Sequence, residues 1–346
     1  MNQQIEADSR QPLGRGPERG EVVPVNPDVL WFRLVSAGAP MGGVNVWALR
    51  DGQGWAMVDT GFADTDTAEQ WDAILAQLDG PITRIICTHF HPDHVGQVGN
   101  LLSRQGVPLW MTAVEWDRAQ RMAALRDAAS TAAYAEHLRK CGLEPAWLEQ
   151  LVGASNRPMT TGLPSRCNIL SEGDELELGG GIWRVQLGAG HSPAPAILVN
   201  ERDRLMIVGD QLLMRITPHI GIEETDVHGD PLGRYFDYLA DAAEIASDML
   251  ALPGHGPAFV AAGQRAAEIA EHHREQLDVL HEALVGPTLV IDAIETLFGR
   301  PLKGISLILG LTEAHAHLQR LVVEGRAKLE LDTDGRFLFV ANLIVP

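Results

Sequence analysis

The densest group of chemically active residues is segment 88–94, which reads THFHPDH. It places three imidazoles and one carboxylate within six residues, at His89, His91, Asp93 and His94. Imidazole nitrogen and carboxylate oxygen suit borderline divalent cations such as zinc, and also manganese or iron. An isolated histidine is usually structural, but four such residues in so short a segment favour a metal site over a polar loop with chance histidines.

The position of this segment in the chain indicates how its ligands are shared. It follows a β-branched stretch, 83–88, which is typical of a strand. A chain that leaves a strand can turn and direct alternate side chains toward different points. His89 and His91 can therefore reach one cation, while Asp93 and His94 can reach another.

Three single residues elsewhere have a similar setting. His191 lies in the Gly-rich segment 188–193, Asp210 ends a predicted strand, and His255 lies in the tight Pro-Gly-His-Gly turn 253–256. Each alone is more often a structural or turn residue. Their shared placement at strand ends or Gly-rich loops predicts that they converge on one rim of a sheet.

The order of these motifs resembles the metallo-β-lactamase superfamily. HxHxDH is followed by GH, GD and PGHG, and preceded by Val-Asp-Thr-Gly at 58–61. The resemblance covers about residues 25–260. It implies an α/β fold, a four-layer αββα sandwich, with a dinuclear metal site at one edge of its two sheets.

Carried over residue by residue, the resemblance implies two ligand triads and a bridge. The first metal takes His89, His91 and His191, the second takes Asp93, His94 and His255, and Asp210 bridges both. With seven N and O ligands we expect two divalent ions, zinc first, with iron or manganese as alternatives.

The resemblance also implies two catalytic carboxylates. Asp59 is expected to position the His-rich loop through hydrogen bonds, although the residues alone fit a surface turn equally well. A hydroxide held between the two metals would attack a carbonyl or phosphoryl centre. The leaving group would then receive a proton from Asp93 or from metal-bound water.

Hydrophobic patterns predict the elements that position these residues. Strand and helix alternate, which favours a mixed α/β layered domain. The predicted strands are 29–36, 44–50, 55–59, 83–88, 169–178, 182–187, 196–200 and 205–209. Helices are predicted after Gly61 and over 113–152, 232–248 and 261–285.

The predicted domain organisation has three parts. Residues 1–20 form a flexible tail, 21–260 a catalytic domain with a helical insertion at 113–168, and 261–346 a small C-terminal domain. In the latter, helices 288–298 and 312–324 precede a hairpin of strands 327–331 and 336–341. This pattern is typical of a winged-helix-like domain.

The C-terminal segment resembles that of the β-lactamase-like-protein-2 group of hydrolases. The residues that carry this resemblance are His272-His273, 297–300, Ala316-His317-Leu318, Leu321 and 324–326. That group includes an RNA-cleaving member, and related proteins act on acyl thioesters. The hairpin carries Lys328 and Arg336 against Glu330, Asp332 and Asp334, which favours a scaffold or dimerisation role over phosphate binding.

Substrate contacts are less well marked. Trp116 and Tyr134 in the insertion could line an apolar acyl or aryl pocket, or form ordinary helical core. His219 follows the Asp210 strand and could face the substrate, or act as a structural loop residue. Where glyoxalase-II-like relatives often have a second histidine, segment 194–196 reads Ala-Pro-Ala, which disfavours a glutathione thioester.

Composition limits the class of substrate and partner. The chain has 346 residues and a net charge of −19, so polyanions such as nucleic acid are disfavoured partners. It has no apolar run long enough to cross a bilayer and no secretory signal at its start. Three cysteines without CxxC fit a reducing cytoplasm. The sequence leaves open whether the chain forms a homodimer.

Three functions are carried forward from the sequence. The first is thioesterase-like hydrolysis of a small, partly apolar ester, thioester (acyl-CoA-like) or lactone. The second is a single-strand RNA endoribonuclease, which the net charge disfavours and the C-terminal resemblance favours. The third, from a non-enzymatic class, is a metal-stabilised binding scaffold, which the complete ligand set disfavours. A β-lactamase proper is disfavoured because such enzymes are usually exported.

Overall fold

The structure is a computed structural model that describes residues 10–36, 42–124, 128–144, 147 and 159–342. The chain divides into two compact units. The first comprises Met1–Ala123, Arg157–Pro218 and Ala242–Arg265, and the second comprises Ala124–Asn156, His219–Asp241 and Ala266–Pro346. The insertion predicted at 113–168 is therefore shared between the units. Its residues 125–127, 145–146 and 148–158 lie outside the described part of the chain.

The first unit contains a seven-stranded sheet in the sequential order β1 to β7. The first four strands pair antiparallel, whereas β4 to β7 pair parallel to one another. The strands are β1 (Val23–Asn26), β2 (Val29–Leu34), β3 (Val44–Asp51), β4 (Gly54–Val58), β5 (Ile82–Ile86), β6 (Leu109–Thr112) and β7 (Asn168–Leu170).

A second, five-stranded sheet in the same unit has the order β12-β11-β10-β9-β8. Its strands are β8 (Glu175–Leu178), β9 (Gly181–Leu187), β10 (Ala196–Asn200), β11 (Leu205–Gly209) and β12 (Leu250–Pro253). Strands β8 to β11 pair antiparallel, and β12 pairs parallel to β11. Strands β9, β11 and β12 therefore all end at the same edge of this sheet.

The core of the first unit lies between the two sheets. Trp31 and Trp47 from the first sheet stack at 5.1 Å between ring centroids, and they pack in one buried cluster with Trp183, Leu198 and Ile207 from the second. Fully burying a large apolar side chain contributes about 1.5–3 kcal/mol. The apolar cluster thus holds the two sheets together and fixes the edge where their strands end.

Four helices are described in the first unit, and all except α3 follow the end of a strand. They are α1 (Thr65–Gln77), α2 (Pro92–Val95), α3 (Val98–Gln105) and α4 (Ala113–Ala124), whose last residue already belongs to the second unit. Helix α1 begins at Thr65 because the Asp64 side chain caps it, accepting from Thr67 N at 2.7 Å. The Trp71 indole donates to the Thr60 carbonyl at 2.7 Å and ties α1 to the end of β4.

The second unit combines helices with a three-stranded sheet of order β13-β15-β14. The strands are β13 (Thr288–Leu289), β14 (Ala327–Leu331) and β15 (Phe337–Ala341), and the helices are α5 (Ala128–Lys140), α6 (Pro231–Ala242), α7 (Ala262–Ala283), α8 (Val290–Phe298) and α9 (Ile305–Val323). The chain boundaries at Ala242 and Arg265 place the last residue of α6 and the first turn of α7 in the first unit.

Several predicted elements differ from the observed ones. The helical stretch predicted over 113–152 contains two separate helices, α4 and α5, and α9 begins at Ile305 rather than at 312. The patterns did not predict β1, β6, β12 or α3, which are short elements. Among the described residues, no helix is both long and apolar enough to span a membrane.

Candidate metal centre

The ends of five strands in the first unit bring the seven predicted ligands and Asp59 to one place. In the first sheet, β4 leads to Asp59 and β5 leads to the segment 88–94. In the second sheet, the loop after β9 carries His191, β11 leads directly to Asp210, and β12 leads to His255. The Thr88 carbonyl accepts from Ala196 N at 2.8 Å and joins the two sheets at this edge.

The first triad consists of His89, His91 and His191. His89 Nε2 lies 3.0 Å from His91 Nδ1 and 3.2 Å from His191 Nε2. His89 is fully buried and His191 is 8 % exposed, whereas His91 is only half-buried. Three imidazole nitrogens at this spacing surround a point that a tetrahedral cation such as zinc can occupy.

The second triad consists of Asp93, His94 and His255. Asp93 Oδ2 lies 3.1 Å from His255 Nε2 and 3.9 Å from His94 Nε2. Pro92 at the first position of α2 starts a single helical turn, which places Asp93 and His94 side by side. Their donor atoms and that of His255 lie within 4.8 Å of one another.

Asp210 lies between the two triads. Its Oδ2 is 3.6 Å from His191 Nε2 and 3.3 Å from His255 Nε2, and its Oδ1 is 3.6 Å from His94 Nε2. One carboxylate therefore faces imidazoles of both groups. The structure thus brings together all seven residues that the sequence proposed as ligands.

Asp59 positions His94 of the second triad through a hydrogen bond on the side of the ring away from the centre. Its carboxylate accepts from Thr88 N at 2.8 Å and from the Thr88 hydroxyl, and lies 2.8 Å from His94 Nδ1. This contact holds a proton on Nδ1 and leaves Nε2 free to face the centre. Asp59 adopts a φ of 65°, which is uncommon outside glycine, and such strained backbone occurs often at functional sites.

The turn that carries His255 is held by backbone and amide contacts. His255 Nδ1 donates to the Gly43 carbonyl at 2.7 Å, which directs Nε2 toward the centre. The Asn45 amide donates to the carbonyls of Pro253 and Gly256, both at 2.8 Å. An added Cβ at Gly254 would overlap Asp210 Oδ1, so this position requires glycine.

Glu115, which the sequence patterns did not single out, holds the first triad. It is fully buried on α4 and accepts from Phe90 N at 3.0 Å, Ser192 Oγ at 2.9 Å and Ala194 N at 2.7 Å. Phe90 lies between His89 and His91 in the chain, and Ser192 follows His191. Glu115 therefore joins the two loops that supply the three imidazoles.

The protonation of the centre follows from burial and from the carboxylates. Burial lowers the pKa of His89 and of His91 well below the usual range, so both are neutral at pH 7. Burial opposes protonation of His94 and His255 as well, but Asp59 and Asp210 raise the pKa of His94, and Asp210 and Asp93 raise that of His255 to about 10. In the metal-free centre, the two imidazolium charges balance the negative carboxylates, as bound cations would.

The residues present fit a pair of divalent cations. His94 Nε2 and Asp210 Oδ1 are buried and have no hydrogen-bond partner among the described residues, although both face the centre. Buried polar atoms without partners are rare, and a bound ion satisfies them. The donor set is nitrogen and oxygen only, which suits zinc, iron or manganese.

The three predicted substrate contacts are not gathered in one unit. Trp116 is half-buried on α4 in the first unit, whereas Tyr134 and His219 belong to the second. His219 Nδ1 lies 3.3 Å from Glu313 Oε2, and its Nε2 lies 3.3 Å from the Thr312 hydroxyl. Their role toward a substrate stays a prediction.

Comparison with known proteins agrees with this geometry. The profile described as "Metallo-beta-lactamase superfamily" matches residues 39–256, and that of the "Metallo-beta-lactamase-like, C-terminal domain" matches residues 277–342. A β-lactamase domain protein from Burkholderia ambifaria is 31% identical, with a TM-score of 0.88, over 96% of this chain and 98% of that one. A metallo-β-lactamase family protein from Thermus thermophilus is 24% identical, with a TM-score of 0.77, over 92% and 99%.

Proposed function

Because the chain belongs to the metallo-β-lactamase superfamily of metal-dependent hydrolases, we propose that it holds two divalent cations and hydrolyses a small, partly apolar ester, thioester or lactone. The proposal of two cations rests on the position of Asp210. Its carboxylate lies within 3.6 Å of an imidazole from each triad, as a bridging ligand must.

His89, His91 and His191 would hold one cation, Asp93, His94 and His255 the other, and Asp210 both. Two such cations, when bound, act as Lewis acids and lower the pKa of water to about 7. Zinc is the first candidate, with iron or manganese as alternatives.

The exposure of the ligand side chains indicates from which side a substrate approaches the centre. Among the seven proposed ligands, His91 and Asp93 are partly exposed while the other five are buried. Substrate therefore reaches the centre past these two residues. Burial alone would raise the pKa of Asp93, but His94 and His255 lower it to about 2, so the carboxylate is ionised. The Asp93 carboxylate would pass a proton from the attacking water to the leaving group.

The substrate class rests on charge and on the loop after His191. A net charge of −19 disfavours extended polyanions such as nucleic acid as substrates. Segment 194–196 offers no polar side chain, Pro195 and Ala196 are buried, and the Ala194 carbonyl accepts from the Thr112 hydroxyl at 2.8 Å. The β-lactamase-like-protein-2 group, with its relatives that act on acyl thioesters, is the subgroup that we propose.

Metal analysis tests the dinuclear centre. We expect two metal ions per chain at this centre, loss of hydrolysis on chelation and recovery when zinc is restored. Asp210→Ala should lose both ions, because its carboxylate serves both triads, while the exposed Asp241→Ala serves as the matched control. An active wild-type protein that contained no metal and ignored strong chelators would refute the proposal.

A substrate panel tests the chemistry. Acyl-CoA thioesters, p-nitrophenyl esters and lactones of increasing chain length are compared with a labelled single-stranded RNA at low salt. We expect turnover of at least one acyl substrate that rises with chain length, and no RNA cleavage. Rapid RNA cleavage with every ester inert would replace this proposal by the endoribonuclease.

A further inference from the structure

A second cluster of metal-ligating side chains lies in the second unit. It consists of His137, Cys141 and His315, whose donor atoms lie within 4.8 Å of one another. All three are buried, with 3 %, 0 % and 0 % of the side chain exposed. None of these residues belongs to the centre of the first unit.

Helix geometry brings the three donors together. His137 lies in α5, and Cys141 follows the end of that helix, where its amide still donates to the His137 carbonyl at 3.0 Å. Residues four apart share one helix face. His315 projects from the middle of α9 toward that face, and its ring stacks on that of His137 at 5.4 Å between centroids.

The distances match the edges of a tetrahedral zinc site. Cys141 Sγ lies 3.9 Å from His137 Nε2 and 3.7 Å from His315 Nδ1. Zinc bonds of about 2.3 Å to sulfur and about 2.0–2.1 Å to nitrogen place neighbouring tetrahedral ligands about 3.3–3.6 Å apart. A shift of a few tenths of an ångström would bring each imidazole nitrogen to this distance from Cys141 Sγ, and all three donors lie within 4.8 Å of one another.

The surroundings supply ligands in the form that a metal needs. Burial lowers the pKa of His315 to about 3 and that of His137 to about 4, so both rings are neutral and keep a free lone pair. Burial raises the pKa of the Cys141 thiol, and a coordinated cation reverses this by deprotonating the thiol.

Aromatic rings close the cluster on one side. Phe337 and Phe339 of β15 lie 5.0 Å and 5.9 Å from the His315 ring, measured between centroids. The two imidazoles contact the Cys141 sulfur, and the His137 ring also has a hydrogen bond with the Ile222 backbone. The two aromatic rings lower the polarity around a bound ion, which strengthens its coordination.

We propose that His137, Cys141 and His315 bind one further zinc-class divalent cation, with solvent or another side chain in the fourth position. The ion would tie the end of α5 to the middle of α9. Metal binding then contributes to the folding of the second unit, because the unfolded chain does not hold the three donors together.

Cobalt substitution tests this site in the intact protein without any mutation. The proposed centre of the first unit uses nitrogen and oxygen ligands only, so a thiolate-to-cobalt charge-transfer band in the near ultraviolet reports the second unit alone. We expect this band and three cobalt ions per fully loaded chain. A fully loaded wild-type protein without the band would overturn the proposal.

Variants give a second, independent readout. Cys141→Ser should abolish the band, lower the metal content by one ion per chain, and leave hydrolysis by the loaded enzyme unchanged. Cys167→Ser, at a half-buried cysteine of the first unit, is the matched control and should retain the band. Equal metal content in wild type and Cys141→Ser would show that the cluster is ordinary metal-free packing. Neither result depends on the proposed substrate.

Discussion

Replacing Glu115 by glutamine tests how the first triad is held. The change keeps the size of the side chain but removes its charge and one acceptor oxygen. Oε1 accepts from both Ser192 and Ala194, so the amide oxygen best takes this position. The amide nitrogen then faces Phe90 N, which Oε2 now accepts from at 3.0 Å, and two donors oppose each other.

The size of the effect follows from these contacts. An unsatisfied buried N–H costs about 1–3 kcal/mol. Two charge-assisted hydrogen bonds that become neutral each lose about half of their ~1.5–3 kcal/mol. The sum is about 2.5–6 kcal/mol, shared between folding and metal binding. Disturbing the partners that orient metal ligands typically lowers metal affinity by about 10–100-fold, which accounts for about 1.4–2.8 kcal/mol of it.

The assay combines a competing chelator, which reports metal affinity, with urea unfolding of the metal-free protein. We expect Glu115→Gln to lower the affinity of the first metal by about 10–100-fold and to destabilise the metal-free fold. Glu69→Gln, on the exposed face of α1, is the matched control and should change neither. A folded Glu115→Gln protein with wild-type metal affinity would show that Glu115 does not position the triad.

Three further predictions concern protons at the second triad. Asp59→Asn places an amide N–H against His94 Nδ1, which moves the ring proton to Nε2 and blocks that nitrogen as a ligand. Chelator competition should therefore show about 10–100-fold weaker binding of one metal, and unchanged affinity would show that Asp59 does not position His94. Because the pKa values of His94 and His255 are raised, the second to about 10, binding of two metals to the centre of the first unit at pH 7.5 should release at least two protons. The release is measured on Cys141→Ser by calorimetry in buffers of different ionisation enthalpy. The raised pKa of His255 stabilises the metal-free fold fully below about pH 6.5, and this contribution is lost as pH rises toward 10. Zero proton release, or metal-free stability that rises over this range, would refute these protonation states.

The sequence by itself selected the candidate ligands and most of the strands. His89, His91, Asp93 and His94 are concentrated in one segment, so residue type and local spacing were enough to select them. His191, Asp210 and His255 were selected because each lies at a strand end or in a Gly-rich loop and because the order of the motifs resembles the metallo-β-lactamase superfamily. Strands β10, β11 and β14 have the predicted bounds because short apolar or alternating runs end at clear turn residues. These features depend on neighbours in the chain.

Only the tertiary structure decided which residues hold the ligands in place and where a second cluster forms. Glu115 lies on a helix whose sequence suggests an ordinary surface glutamate, yet its partners are 25, 77 and 79 residues away. His315 meets Cys141 across 174 residues of chain. No local pattern carries such pairings, because they arise from the packing of whole elements, which depends on the summed burial of many side chains.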